Sequence, residues 1–168
     1  LQDRRLGFVY QDFGLFPHMK VRANIEYGLR IKGMKRAACE EKSRNMMELL
    51  GICHLADRYP GTLSGGEQQR TALARALIVD PRILFMDEPF SALDPNTKKQ
   101  MYGLVREIHQ LFGCTIVFVT HDFHEAEKLA DRSAVIIGGR VRRICDSRQL
   151  FLEKEDREVM EFLGITAG

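Results

Sequence analysis

The sequence predicts an α/β fold. Three observations predict it: short runs of β-forming apolar residues, longer charged segments of helical periodicity between them, and cap or turn residues at the junctions. The runs are residues 6–10 (LGFVY), 83–86 (ILFM) and 115–119 (TIVFV). Their near-continuous apolar character is that of strands buried in a parallel sheet. The first run gives way to Gln11, Asp12 and Gly14, which read as a turn. From Val21 to about Leu50 the pattern is helical and charged, most clearly over residues 37–50 (AACEEKSRNMMELL), with Gly51 as its stop. This predicts a small helical lobe.

Between the second and third runs lies the best-defined helix. Asp94 reads as its N-cap with Pro95 at the first helical position, and Met101, Leu104, Val105, Ile108 and Leu111 recur at helical spacing before Gly113. Residues 133–137, the Gly138-Gly139 turn and residues 140–145 predict a closing hairpin, followed by short helices over residues 148–154 and 156–162.

Composition narrows the function classes. The 168 residues are 45% apolar, 29% charged and 8% aromatic, enough for a packed core and unlike a disordered chain. Lys and Arg total 25 against 23 Asp and Glu, a net charge of only +2, so no basic or acidic surface argues for nucleic acid or a membrane face. The apolar runs fall far short of the ~20 residues that cross a bilayer. Cys39, Cys53, Cys114 and Cys145 are scattered without a CxxC. Isolated reduced thiols in a cytosolic setting are therefore expected.

Three segments carry candidate chemistry. In Leu63-Ser64-Gly65-Gly66-Glu67-Gln68-Gln69-Arg70, Ser64 and Glu67 have capping-box spacing, and the helix beyond repeats apolar residues at Leu73, Ala76 and Leu77. Two glycines in the first turn leave its amides uncovered, as a phosphate site requires. On that spacing alone, a capped core helix explains the segment as well. In residues 83–89 (ILFMDEP), a buried strand delivers Asp87 and Glu88 to the carboxyl edge of a sheet, where open α/β folds bind ligands. Neighbours on a strand face opposite sides, so the two acids should have different roles, Asp87 holding Mg²⁺ and Glu88 taking a proton from an attacking water. Two acids ending a strand is the plainer alternative. His121 follows the third strand and, with Gln11 after the first, falls at the same predicted edge.

Together these segments resemble the nucleotide-binding subunit of ATP-binding cassette (ABC) transporters. LSGGEQQR is similar to the family signature, ILFMDEP to Walker B, SALD at residues 91–94 to the D-loop, VTHD at residues 119–122 to the switch-histidine motif, and Gln11 to the Q-loop glutamine. They stand in family order. The resemblance implies a partial P-loop NTPase (RecA-like) parallel-sheet core, residues 1–12 and 75–168, with an inserted α-helical subdomain, residues 13–74, ending in the signature. It implies catalytic roles for Glu88, His121 and Gln11, metal support from Asp87 and Gln11, and nucleotide contacts from Ser64, Gly65, Gly66, Glu67, Gln68 and Asp94 across a head-to-tail dimer. ATP and Mg²⁺ are the implied cofactors, and a second nucleotide-binding subunit and transmembrane permease subunits the implied partners. Nucleic acid and direct membrane insertion are not expected. The implied location is the cytoplasm, on the inner face of the membrane. Residues 14–21 (GLFPHMKV) with Asn24-Ile25 resemble importer ATPases of the molybdate, sulfate, ferric-iron and polyamine type.

One family element is missing from these residues: no G-x-x-x-x-G-K-[ST] occurs. The phosphate-cradling loop is expected ahead of Leu1, roughly 30 or more residues before Gln11. The chain alone is therefore expected to bind ATP weakly and hydrolyse it little. A soluble ABC ATPase outside transport, or an interaction module without the loop, are the competing expectations.

Overall fold

The computed structural model describes residues 5–152 and 156–165. It divides into two compact units, Leu1–Val119 and Thr120–Gly168. The first unit is built on a parallel sheet in the order β1 (Leu6–Val9), β2 (Ile83–Asp87), β3 (Thr115–Val119). Register runs straight across, so that Phe8, Phe85 and Val117 are neighbours in one row. The helices of this unit are α1 (Val21–Ile31), α2 (Arg36–Leu49), α3 (Gly65–Leu77) and α4 (Pro95–Phe112).

Helix α3 covers one face of the sheet. Gly7 lets it approach: a Cβ there would lie 3.0 Å from the Ala76 carbonyl and 3.0 Å from Leu84 Cδ1. Val9, Leu84 and Met86 are buried on that face. On the other face Phe8 stacks on Phe85 at 5.0 Å, and Val117 and Val119 are 41% and 61% exposed. Sequence reading expected both faces of these strands to be covered. The difference follows from α3 lying against only one of them. Phe90, fully buried just after β2, makes edge contacts with Tyr102 of α4 and Phe118 of β3. Met101, Leu104, Val105 and Ile108 of α4 are buried as their spacing predicts, whereas Leu111, one turn further on, is 60% exposed. Gly113 closes α4 at φ +58°.

The segment after β1 folds into two helices separated by residues 32–35, and α1 carries a buried acid the charged pattern concealed. Glu26 is fully buried, accepting from Arg30 Nε at 3.1 Å and from Ser43 Oγ of α2 at 2.8 Å. A carboxylate taken out of water persists only when paired in this way.

The second unit contains α5 (Phe123–Leu129), an antiparallel pair β4 (Arg132–Ile137) and β5 (Arg140–Asp146), and α6 (Arg157–Phe162). Val135, Leu150, Val159 and Leu163 form its core. The short helix expected over residues 148–154 is a 3₁₀ helix, Ser147–Leu152, and residues 153 and 154 of that expectation lie outside the described residues. No helix among the described residues is long and apolar enough to cross a membrane. All four cysteines are unpaired thiols.

Candidate functional site

Two clusters in the first unit hold most of the residues singled out by sequence. The first is at the carboxyl end of the sheet. Asp87 is the last residue of β2 and its side chain is exposed. Glu88 leaves the strand altogether: its φ is +42°, the left-handed region that a non-glycine residue enters at a cost of about 1–2 kcal/mol. The expectation that Asp87 and Glu88 alternate along one strand thus gives way to a turn that redirects the second acid. That turn is held by its surroundings. The Glu88 amide donates to the Val119 carbonyl at 2.9 Å, and Ser91 donates to the Glu88 carbonyl from its amide at 3.2 Å and its hydroxyl at 3.0 Å. Gln11, 77 positions away in sequence, donates from Nε2 to Glu88 Oε2 at 3.4 Å. Tertiary structure alone brings these two together.

The second cluster is the N-terminus of α3 with the N-terminus of α4. The capping box is complete: Ser64 N donates to Glu67 Oε2 at 2.7 Å, Ser64 Oγ donates to the same oxygen at 3.0 Å, and Glu67 N donates to Ser64 Oγ at 3.4 Å. The Ser64 amide holds the Glu67 carboxyl below the usual carboxylate range. Asp94 accepts at Oδ1 from Asn96 N at 3.0 Å and Thr97 N at 3.1 Å, and Thr97 Oγ1 donates to its other oxygen. The Thr97 hydroxyl, then the two amides, hold Asp94 below its ordinary value as well. Gly66 permits the contact between the two helix ends, since a Cβ there would meet Thr97 Cγ2 at 2.9 Å. Ser64, Gly65, Gly66, Glu67 and Asp94 line one open cleft of ≈ 250 Å³. Gln68 does not join them; its Nε2 donates to the carbonyls of Pro60 and Leu63, both at 3.2 Å.

His121 belongs to the second unit, exposed between β3 and α5. Beside it Thr120 Oγ1 accepts from Asp122 N at 3.0 Å, and Asp122 caps α5 through His124 N. In chemical terms, the β2 end offers an exposed carboxylate, a second carboxylate in a fixed orientation and a primary amide. These can bind a hydrated hard cation and hold a water. With the Glu67 amide taken by Ser64 Oγ, the α3 end offers the Gly65 and Gly66 amides, which have no intrahelical acceptors, for an anion.

Sequence reading gave no role to Arg75 and named Asn24 only within the importer-like segment, yet both side chains shape this region. Asn24, buried on α1, accepts from Phe16 N at 2.8 Å and donates to the Met19 carbonyl at 2.9 Å and the Phe16 carbonyl at 3.1 Å. Arg75, in the last turn of α3, donates to the carbonyls of Gly14 at 2.7 Å and Phe13 at 3.1 Å. The available signal for Arg75 was a cation inside an otherwise apolar run, residues 72–78 (ALARALI), whose other members are all buried.

A parallel sheet with acids at its carboxyl edge, and a helix that starts at a glycine-rich turn, is an arrangement that nucleotide-binding α/β proteins use. The chain belongs to the ABC transporter family, whose pattern it matches over residues 1–91. It is 44% identical over 167 residues to the sulfate/thiosulfate import ATP-binding protein CysA of Escherichia coli (strain K12), covering 97% of this chain and 46% of that protein. Identity to the molybdate/tungstate import ATP-binding protein WtpC of Pyrococcus horikoshii is 44% over 163 residues, 97% of this chain and 47% of that one. A second CysA, from Agrobacterium fabrum, is 42% identical over 166 residues, 98% of this chain and 49% of that one. The chain spans about half the length of the curated relatives it matches.

Proposed function

We propose that these residues belong to the ATP-binding subunit of an importer, where ATP binding and hydrolysis at a subunit interface drive solute uptake. The observation that carries this reading is the Gln11–Glu88 contact at the carboxyl edge of the sheet, made on a turn whose backbone is strained. Strain of this kind persists where the surrounding structure over-determines it, and such sites are disproportionately functional.

In this reading Glu88 is the general base. A water attacks the γ-phosphorus and its proton passes to a Glu88 oxygen. The bond from the γ-phosphorus to the bridging oxygen breaks, and ADP leaves with the electron pair. Gln11 orients Glu88 and the water through its amide. His121 contacts the γ-phosphate from beyond β3. Ser64, Gly65 and Gly66, with Glu67 and Asp94 beside them, meet a nucleotide held by a second subunit, and residues 13–74 act as the inserted helical subdomain that receives the permease.

The donor set fits Mg²⁺: the Asp87 carboxylate and the Gln11 amide oxygen are hard ligands of the kind that hold it alongside water and substrate phosphates. When bound, the ion neutralises charge on the phosphate oxygens. The working location is the cytoplasmic face of a membrane, reached through permease subunits. The names of the relatives support a tetrahedral oxyanion, of the sulfate or molybdate class, as the cargo.

The test is Glu88→Gln in the full-length protein that supplies the phosphate-binding loop. Turnover is expected to fall at least about 10²-fold with nucleotide still bound. Unchanged turnover removes Glu88 from its role.

A further inference from the structure

The residue that sets the Gln11 loop is neither in a family motif segment nor on that loop. Residues 10–14 form a tight turn in which Phe13 N donates to the Tyr10 carbonyl at 2.9 Å and Gly14 N to Asp12 Oδ1 at 3.1 Å. Two consecutive residues of this turn, Phe13 at φ +63° and Gly14 at φ +54°, are left-handed. Phe13 is a bulky residue in that region and is itself buried. Something outside the turn must hold it there. The structure supplies one such group: the Arg75 guanidinium reaches from α3 across 61 and 62 positions of sequence, Nη1 to the Gly14 carbonyl and Nη2 to the Phe13 carbonyl. Its planar fork matches two adjacent acceptors, which a lysine ammonium cannot do with the same geometry. The guanidinium also lies over the Phe16 ring, 5.3 Å from its centroid, so the far side of the loop is gripped too. Phe16 in turn is fixed to α1 through Asn24 and packs on Tyr27 at 4.6 Å.

We propose that Arg75 is a positioning residue for hydrolysis: by clamping the Phe13 and Gly14 carbonyls it fixes the turn that carries Gln11, and thereby holds the Gln11 amide within reach of Glu88. Arg75 touches neither nucleotide nor water in this scheme; it acts through Gln11. Burial pushes the Arg75 guanidinium below its ordinary pKa, yet it stays fully charged at neutral pH and its hydrogen bonds are correspondingly strong. The inference rests on the reading of Gln11 and Glu88 given above.

The experiment compares Arg75→Met, Arg75→Lys, Gln11→Ala and the double variant Gln11→Ala/Arg75→Met in the full-length protein. ATP turnover is measured across substrate concentration, with hydrogen exchange of residues 10–16 and of α3 as a second readout. Arg75→Met keeps an apolar stem but loses the fork and the cation over Phe16. It is expected to lower kcat roughly 10- to 100-fold, the scale of a misplaced catalytic group, with KM for ATP within about twofold. Exchange should quicken over residues 10–16 and not along α3. Arg75→Lys should fall between wild type and Arg75→Met. The double variant should be no slower than Gln11→Ala alone, because both changes remove one contribution.

Unaltered kcat in Arg75→Met together with a loss in Gln11→Ala overturns this inference and leaves the functional reading standing. Unaltered kcat in Gln11→Ala overturns the functional reading itself. Multiplicative losses in the double variant assign Arg75 a separate, structural role and overturn the inference. If Arg75→Met fails to fold, the same comparison runs on Arg75→Lys, where faster exchange over residues 10–16 with a lowered kcat supports the clamp and wild-type behaviour in both contradicts it.

Discussion

The N-terminus of α3 and the turn at Glu88 are both short, polar and glycine- or proline-flanked, yet they are stabilised in opposite ways. At the α3 end Ser64 and Glu67 cap the helix through each other, three residues apart, and the backbone is relaxed. At Glu88 the backbone is strained, and beside the local contacts from Ser91 it has partners far away in sequence, the Val119 carbonyl of β3 and Gln11. The first arrangement is what a helix needs in order to start. Under the proposed function, the strained turn falls at the catalytic end and the locally satisfied cap at the nucleotide-binding end.

Substituting across this contrast should separate stability from turnover. Glu88→Gly removes both the carboxylate and the penalty on positive φ. It should lower turnover in the full-length protein by about 10²–10⁴-fold while leaving the chain's urea midpoint unchanged or raising its stability by up to about 1 kcal/mol. A large stability loss would mean that the turn is structural after all. Gln69→Leu addresses α3 from within: Gln69 is fully buried and neither of its amide atoms is hydrogen-bonded among the described residues. Replacing it by an apolar side chain of similar size should stabilise the chain by about 1–2 kcal/mol, measured by urea unfolding. Ser64→Ala should do the reverse at the same helix, costing about 1 kcal/mol, with hydrogen exchange quickening in the first turn of α3 only.

The smallest expected effect is with pH. Glu67 and Asp94 both sit below their ordinary values in the folded chain. Each therefore contributes stability that is present above the unfolded carboxylate range, about pH 4, and is lost as pH falls through the lower folded value. Glu67→Gln, which removes the titrating carboxyl that the Ser64 amide and hydroxyl hold, should flatten the Glu67 part of this acid limb in a urea titration between neutral and acid pH. An unchanged limb would detach Glu67 from the cap.

The same contrast explains what could be read from sequence. Caps, strands and hairpin were legible because their signals are local: Asp94-Pro95 before α4, Ser64 and Glu67 at α3, Gly138-Gly139 between β4 and β5. Composition of a segment does not say which faces are covered, so Val117 and Val119 read as buried and Leu111 as part of a buried stripe. Nothing in the charged pattern of residues 21–50 sets Glu26 apart, although it is buried and Ser43 of α2 donates to it. At the site, residue identities were legible through their motifs, whereas the geometry was not. The left-handed turn at Glu88 and the Arg75 fork both depend on residues more than 30 positions away.

The central claim is that Gln11 and Glu88 act as one unit on the attacking water, and a double-variant cycle on single-turnover ATP hydrolysis tests it most directly. With Gln11→Ala, Glu88→Gln and both together in the full-length protein, the combined loss should be no larger than that of Glu88→Gln alone. Losses that multiply would show two independent residues and contradict the account.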